Sequence, residues 1–236
     1  MSRDNIILEV KHLTVGYSQK KPVVKDVSFL LKKGECLAIF GKLGSGKTTI
    51  AMAILGFIAP IYGMVLLNSI NILKIRGRKR REIRRRIQPI FQDPFLSLHP
   101  MKRIKTVLED SIERESGKSV KRYLNMVGLD ASYMDRLPSQ LSGGELQRVC
   151  IAKALCTNPE VLILDEPFTA QDHVTKVKLA VLLRDLKNKY NLSYLLITHD
   201  IFTVSFLSDR VLLLDQGKVT GTMTAGEFRE KYIAEL

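Results

Sequence analysis

The spacing of apolar and polar residues changes several times along the chain. Over the first 35 residues the two kinds alternate, with Leu8, Val10, Leu13 and Val15 and then Val27, Phe29 and Leu31. This period of two predicts short antiparallel strands with one wet face. From Glu35 the alternation gives way to an unbroken apolar run, Cys36-Leu37-Ala38-Ile39-Phe40, and the runs at 161–164 and 194–197 resemble it. Such runs suit strands buried on both faces of a parallel sheet. The two later runs end in polar residues, Asp165-Glu166 and Thr198-His199-Asp200. Ligands gather at the carboxyl ends of parallel strands, so these groups are candidates for chemistry. Between them, residues 93–158 read as helical, with helices expected at 101–115, 120–127 and 143–157. Gly128 stops the second, and Pro159 follows the third. A hairpin around Gln216-Gly217 and a short helix are expected at the end. The pattern predicts an α/β fold, a mixed sheet with an antiparallel β patch and an inserted helical subdomain.

At 236 residues, 45% hydrophobic and 26% charged, the chain has the composition of one large globular α/β unit. Cys36, Cys150 and Cys156 lie in apolar surroundings without CxxC spacing, which argues against disulfide and thiolate metal sites and favours a reducing compartment. His12, His99 and His173 share no metal-ligand spacing and are expected to be structural or surface residues. The opening MSRDNIILEV lacks an apolar core before a small-residue cleavage site, so no secretory leader is expected. Residues 48–68 carry no charge and imitate a membrane span, but Pro60 and two glycines interrupt them; a buried helix, a turn and a strand are expected instead. The net charge is +13. The run KIRGRKRREIRRR at 74–86 holds nine basic residues against Glu82 and so supplies +8 of it. It fits an anionic membrane surface or nucleic acid on one side and a solvated helix face on the other.

Three segments carry the chemistry. Gly41-Lys42-Leu43-Gly44-Ser45-Gly46-Lys47-Thr48 matches G-x-x-x-x-G-K-[ST] between a buried strand and a helix. Glycines there let successive N–H groups face phosphate oxygens at a helix amino terminus. Lys47 would neutralise the β- and γ-phosphates, and the Thr48 hydroxyl would ligate Mg²⁺. The strand ending in Asp165-Glu166 supplies a metal-shell carboxylate and, one residue on, a base for the attacking water. Leu141-Ser142-Gly143-Gly144-Glu145-Leu146-Gln147-Arg148 opens another helix with a second anion-receptive end.

This last segment, 23 residues before Asp165, resembles the signature motif of the ABC-type ATPases, and the resemblance extends over nearly the whole chain. It implies that Tyr17 stacks on adenine, that Gln92 is the Q-loop glutamine and a metal ligand beside Thr48 and Asp165, and that His199 is the switch histidine. Asp172 would be the D-loop aspartate. Implied nucleotide contacts are Tyr17, Gly41, Lys42, Gly44, Ser45, Gly46, Lys47, Thr48, Thr49, Ser142, Gly143, Gly144 and Asp172. The implied catalytic set is Glu166, His199, Gln92 and Lys47, working on ATP with Mg²⁺. Leu43 and Gln171 depart from the family pattern, which has a small polar residue and a leucine there.

The stretch Phe91-Gln92-Asp93-Pro94-Phe95-Leu96-Ser97-Leu98-His99-Pro100 is similar to that in ATPases of peptide and nickel importers. No cysteine follows Cys156 before the chain ends at Leu236, which favours the short nickel or metallophore type. The resemblance implies one ABC ATPase domain, with an ATP-binding core at 1–92 and 159–236 and a helical insertion at 93–158. It implies an ATPase subunit at the cytoplasmic face of the membrane that powers solute import by closing on a second, non-identical ATPase. Permease subunits would be direct partners and an extracytoplasmic solute-binding protein an indirect one, with Phe95, Leu98 and Met101 facing the permease. No nucleic acid is expected; a nucleic-acid-associated ABC ATPase or an exporter subunit with the same motor is the competing reading.

Overall fold

The computed structural model describes residues 5–18, 21–112, 117, 119–169 and 171–233. Strands β1 (Ile6–Val15), β2 (Val24–Lys32) and β3 (Cys36–Phe40) lead into helix α1 (Lys47–Ile54), followed by β4 (Tyr62–Leu67), β5 (Ile70–Asn71), α2 (Gly77–Arg86) and β6 (Ile87–Ile90). Helices α3 (Ile104–Glu109), α4 (Val120–Met126) and α5 (Gly143–Cys156) come next. After them run β7 (Val161–Asp165), α6 (His173–Tyr190), β8 (Ser193–Thr198), α7 (Ile201–Leu207), β9 (Arg210–Asp215), β10 (Lys218–Thr224) and α8 (Ala225–Ile233).

The alternating opening segment becomes an antiparallel sheet of order β2-β1-β4-β5, and the continuous apolar runs lie in a six-stranded mixed sheet of order β10-β9-β3-β8-β7-β6. Within it β9, β3, β8, β7 and β6 are parallel, and β10 closes the edge antiparallel. The period-two rule explains why the runs carry no polar face. Cys36, Ala38, Leu162, Leu164, Tyr194 and Leu196 enter one core, shared with α3 to α7, while Leu37, Ile39, Val161, Ile163, Leu195 and Ile197 enter another, shared with α1 and the antiparallel sheet. The helical stretch after β6 therefore has no separate core: Leu146, Val149, Ile151 and Leu155 of α5 pack on the same sheet as the strands. Tyr194, a polar-tipped ring in that interior, donates its hydroxyl to the Leu183 carbonyl at 2.9 Å.

Several boundaries differ from the pattern reading. The first expected helix, 101–115, is reduced to the six residues of α3. Lys102 N is committed to a turn on the His99 carbonyl and Ile104 N to the Arg136 carbonyl, so the helix cannot start earlier. At its other end Ser111 Oγ bonds the Val107 carbonyl, and residues 113–116 lie outside the described residues. The second and third helices follow the expectation to within a residue. Residues 48–68 form most of α1, a turn and β4, and among the described residues no helix is long and apolar enough to cross a membrane. Residues 77–86 of the basic run form α2, and 74–76 precede it. The edge strand β6 and the 18-residue α6 have no counterpart in the pattern reading. Leu98 was expected to face a partner, but it is 6% exposed and packs in the core, because the short turn at Pro94–Ser97 rolls it inward while Phe95 and Met101 stay 56% and 77% exposed.

Candidate active site

The loop from Gly41 to Lys47 leaves the carboxyl end of β3 and winds into α1, with Gly46 at the helix N-cap in a left-handed conformation, φ 102°. Lys47 turns its ammonium back into this loop, donating to the Gly41 carbonyl at 2.8 Å and the Lys42 carbonyl at 3.0 Å. Burial lowers its pKa, and the neighbouring Glu166 and Asp165 carboxylates oppose that shift. The backbone of the β9–β10 hairpin supports the loop from behind. Gly217 N donates to the Ser45 carbonyl at 3.0 Å, and Lys25 N donates to the Gly217 carbonyl at 2.8 Å. Gly217 has φ 78°, and a β-carbon there would stand 1.9 Å from the Val23 carbonyl oxygen, so the approach is open only to glycine. Nothing in the loop motif itself points to this support.

On the neighbouring strand ends, Thr48 Oγ1 donates to Asp165 Oδ1 at 3.1 Å. Asp165 is buried, and desolvation raises its pKa from 3.8 to about 6; Glu166 beside it adds to the rise, while the Thr48 hydroxyl and the Lys47 charge oppose it. Glu166 follows in a left-handed backbone conformation, φ 48°, unusual for a side-chain-bearing residue and held by its N–H donating to the Ile197 carbonyl at 2.9 Å. Both its oxygens are engaged: Oε1 lies 2.7 Å from His199 Nδ1, and Oε2 accepts from Thr169 Oγ1 and Thr198 Oγ1, each at 3.1 Å. The two threonines were not singled out in the sequence. Their signal is positional, since Thr198 immediately precedes His199 and Thr169 lies one turn beyond Glu166.

Lys47, Thr48, Asp165, Glu166 and His199 thus share one polar surface. Thr49 is buried behind it. Ser45 Oγ is buried and, among the described residues, without a hydrogen-bond partner. An unpartnered hydroxyl inside a loop of this shape fits a phosphate oxygen, and a hydroxyl and a carboxylate oxygen 3.1 Å apart offer the hard oxygen donors Mg²⁺ takes alongside phosphates. Among the described residues no cluster of three His, Cys, Asp or Glu side chains forms a metal site of its own.

Other candidates stand apart. Tyr17 is 78% exposed, its ring free to stack on a planar ligand, and Gln92 is exposed with no bond to Thr48 or Asp165. Ser142 caps α5 in a reciprocal box: Glu145 N donates to Ser142 Oγ, while Ser142 N donates to Glu145 Oε2 at 2.8 Å. The Tyr133 hydroxyl donates to the other oxygen of Glu145 and holds its pKa down, a link with no sequence signal. No described hydrogen bond joins Ser142, Gly143 or Gly144 to the phosphate loop. Asp172 caps α6, accepting from Thr175 N at 3.0 Å. A β-carbon at Gly143 would lie 3.5 Å from Gln171 Oε1, so this amide lies against the start of α5 in its own chain; Ala170, beside it, is outside the described residues.

The other singled-out groups have structural surroundings. His12 pairs with Asp26 at 2.8 Å, His99 Nδ1 accepts from Met101 N at 3.3 Å, and His173 lies against the Phe202 ring. All three cysteines are buried. Burial raises the thiol pKa of Cys36 and pushes that of Cys150 up to about 12.

Comparison with known proteins accounts for this arrangement. Residues 24–169 match the family described as ABC transporter. The chain is 38% identical over 204 residues to the oligopeptide transport ATP-binding protein AppF of Bacillus subtilis (strain 168), covering 83% of this chain and 62% of AppF. It therefore spans less than two thirds of that relative. It is 35% identical over 219 residues to the nickel import ATP-binding protein NikE of Escherichia coli (strain K12), covering 90% of this chain and 82% of NikE. Among solved structures it is similar to cbiO1 of Clostridium perfringens, described as part of the ABC transporter complex cbiONQ. The TM-score is 0.85 at 28% identity, over 98% of this chain and 94% of that one. A dimeric structure of the ATP-binding cassette MJ0796 in a post-hydrolysis state with ADP and Pi has a TM-score of 0.79 at 29% identity, over 93% and 99% of the two chains. The chain belongs to the ABC transporter family, as an ATPase of that family.

Proposed function

We propose that this ATPase powers import of a nickel ion, a metal chelate or a peptide by closing on a second ATPase and driving permease subunits at the cytoplasmic face of a membrane. The observation that carries the reading is the run of polar groups from Lys47 through Thr48, Asp165 and Glu166 to His199 at the ends of β3, β7 and β8. Lys47, Ser45 and the loop N–H groups, flanked by Gly41, Lys42, Gly44, Gly46 and Thr49, would take the phosphates, with Tyr17 against the base. Thr48 and Asp165 would hold Mg²⁺, joined by Gln92 when its loop is drawn inward; the cation, when bound, neutralises phosphate charge. Glu166 accepts the proton of the attacking water. Thr169, Thr198 and His199 fix its carboxylate, which keeps a flexible side chain in one orientation. Ser142, Gly143, Gly144 and Asp172 would meet the nucleotide held by the opposite ATPase.

Segment 93–158 is read as the helical insertion that receives the permease, and 1–92 with 159–236 as the ATP-binding core. The exposed Phe95 and Met101, close in sequence to Gln92, support that docking. Pairing with a non-identical ATPase rests on the resemblance to the peptide and nickel importers. A native mass of the intact transporter with two copies of this chain and no second ATPase would refute the pairing. The test of the chemistry is Glu166→Gln, which keeps shape and nucleotide binding but cannot take the proton. Turnover in the assembled transporter should fall by ~10²- to 10⁴-fold. Activity above half that of the parent would remove Glu166 from the role.

A further inference from the structure

The basic run takes no part in the site above. Ile83 is the buried side chain of α2, and with Ile87 it seals the helix onto the core beneath the antiparallel sheet. Lys74, Arg76, Arg78, Lys79, Arg80, Arg81 and Arg84 remain exposed. Among the described residues, acidic partners reach only Arg78, through Glu82 at 3.6 Å, and Arg86, through Glu160. Arg80 and Arg85 donate to neutral carbonyls, those of Gly56 and Ser111. At about 100° per residue, Arg78 and Arg81 project from the side opposite Ile83, with Arg84 flanking them and Arg85 half-buried against Ser111. Phe57, 61% exposed, lies under the Arg84 guanidinium, 6.0 Å from ring centroid to charge, and Arg84 also lines a cleft with Leu55, Ile58 and Ile72.

We propose that α2 and Phe57 form a contact for anionic lipid headgroups at the bilayer surface beside the permease. The cations fan over a wide arc of the helix, with Glu82 as the one acid in the run. Mobile phosphate headgroups can gather around each of these charges, whereas an acidic protein face would need carboxylates placed to match the whole fan. Phe57 favours a bilayer surface, because the headgroup region accepts an aromatic body beside a charged neighbour. The contact goes beyond the transport reading, because it is made with lipid. It is tested without permease subunits, so its failure leaves that reading standing.

The test is co-sedimentation of the full chain with vesicles of phosphatidylcholine alone or with about a third phosphatidylglycerol. The chain should bind the mixed vesicles, ignore the neutral ones, and release as salt rises. Each cation at an anionic surface gives about a five-fold gain, so Arg78→Gln/Lys79→Gln/Arg81→Gln should weaken binding about 100-fold. Arg78→Lys/Arg81→Lys keeps the charge and should keep the binding, which separates lost charge from lost folding. The proposal is overturned if the neutralised variant binds mixed vesicles as the parent does, if neutral vesicles bind equally, or if the lysine variant releases. It is also overturned if duplex DNA binding, and not vesicle binding, follows the substitutions.

Discussion

Replacing Asp165 by Asn should make the nucleotide-free protein gain stability relative to the parent as pH rises from 5 to 7, and lose stability relative to the parent once ATP and Mg²⁺ are added. The first half follows from the raised pKa of this buried carboxyl, about 6 against 3.8 for an ordinary aspartate. Between those values the folded chain keeps a proton that the unfolded chain has released. Stability therefore falls as pH rises through that window, and the loss is complete above pH 6. A rise from 3.8 to about 6 amounts to about 3 kcal/mol at pH 7, of which about 1 kcal/mol is lost between pH 5 and pH 7. Asparagine has the same outline and no titration. Any fixed effect of burying its amide is the same at both pH values and drops out of the comparison. Urea unfolding in chelator at pH 5 and pH 7 measures it, since the stability difference between variant and parent should grow by about 1 kcal/mol across that interval. A difference that stays constant would mean that Asp165 is not held protonated by burial. Added ATP and Mg²⁺ should raise the melting temperature of the parent far more than that of the variant, because only the parent keeps the charged ligand.

Two other outcomes follow from backbone and exposure. Gly217→Ala must place a methyl against the Val23 carbonyl at φ 78°, so it should cost at least about 2 kcal/mol and weaken ATP binding by shifting the turn that holds Ser45. Thermal unfolding and calorimetry read both effects, and an unchanged melting temperature would refute the clash. Cross-linkers placed at Phe95 and Met101 should reach the permease subunits in an assembled transporter, whereas one at the buried Leu98 should not. A strong product from Leu98 alone would overturn the docking face.

The sheet was legible because burial on both faces leaves a plain trace: three runs of four or five residues without polar positions suit strands inside a parallel sheet, and β3, β7 and β8 are those strands. The helices between β6 and β7 were less so. The start of α3 is set by a hydrogen bond from Ile104 to Arg136, 32 residues away, and no local pattern carries that information. Leu98 shows the same limit. An apolar residue in a loop can face a partner or the core, and only the turn at Pro94–Ser97 decides which. The phosphate loop, the acidic pair and His199 were legible as motifs because each needs fixed residue types at fixed spacing. Their support was not, since Gly217, Tyr133 and the paired threonines act through contacts that join distant parts of the chain.

The residues that break local preference collect where the chemistry lies. A lysine ammonium drawn into a loop, an aspartate buried beyond its ordinary ionisation, and a glutamate with φ 48° each oppose folding when taken alone. What holds them is backbone geometry. The Gly41 and Lys42 carbonyls take the ammonium, Ile197 takes the Glu166 N–H, and the β9–β10 turn fixes Ser45. Each unfavourable group is thus tied to a strand end or to the loop that leaves it, and β3, β7 and β8 lie side by side in register. Rigid neighbours set the positions of the charges before any ligand arrives, so binding need not spend free energy ordering them. Gln92 differs in kind: it is exposed, and no described hydrogen bond ties it to Thr48 or Asp165, so its position is not fixed by the backbone geometry that holds the others.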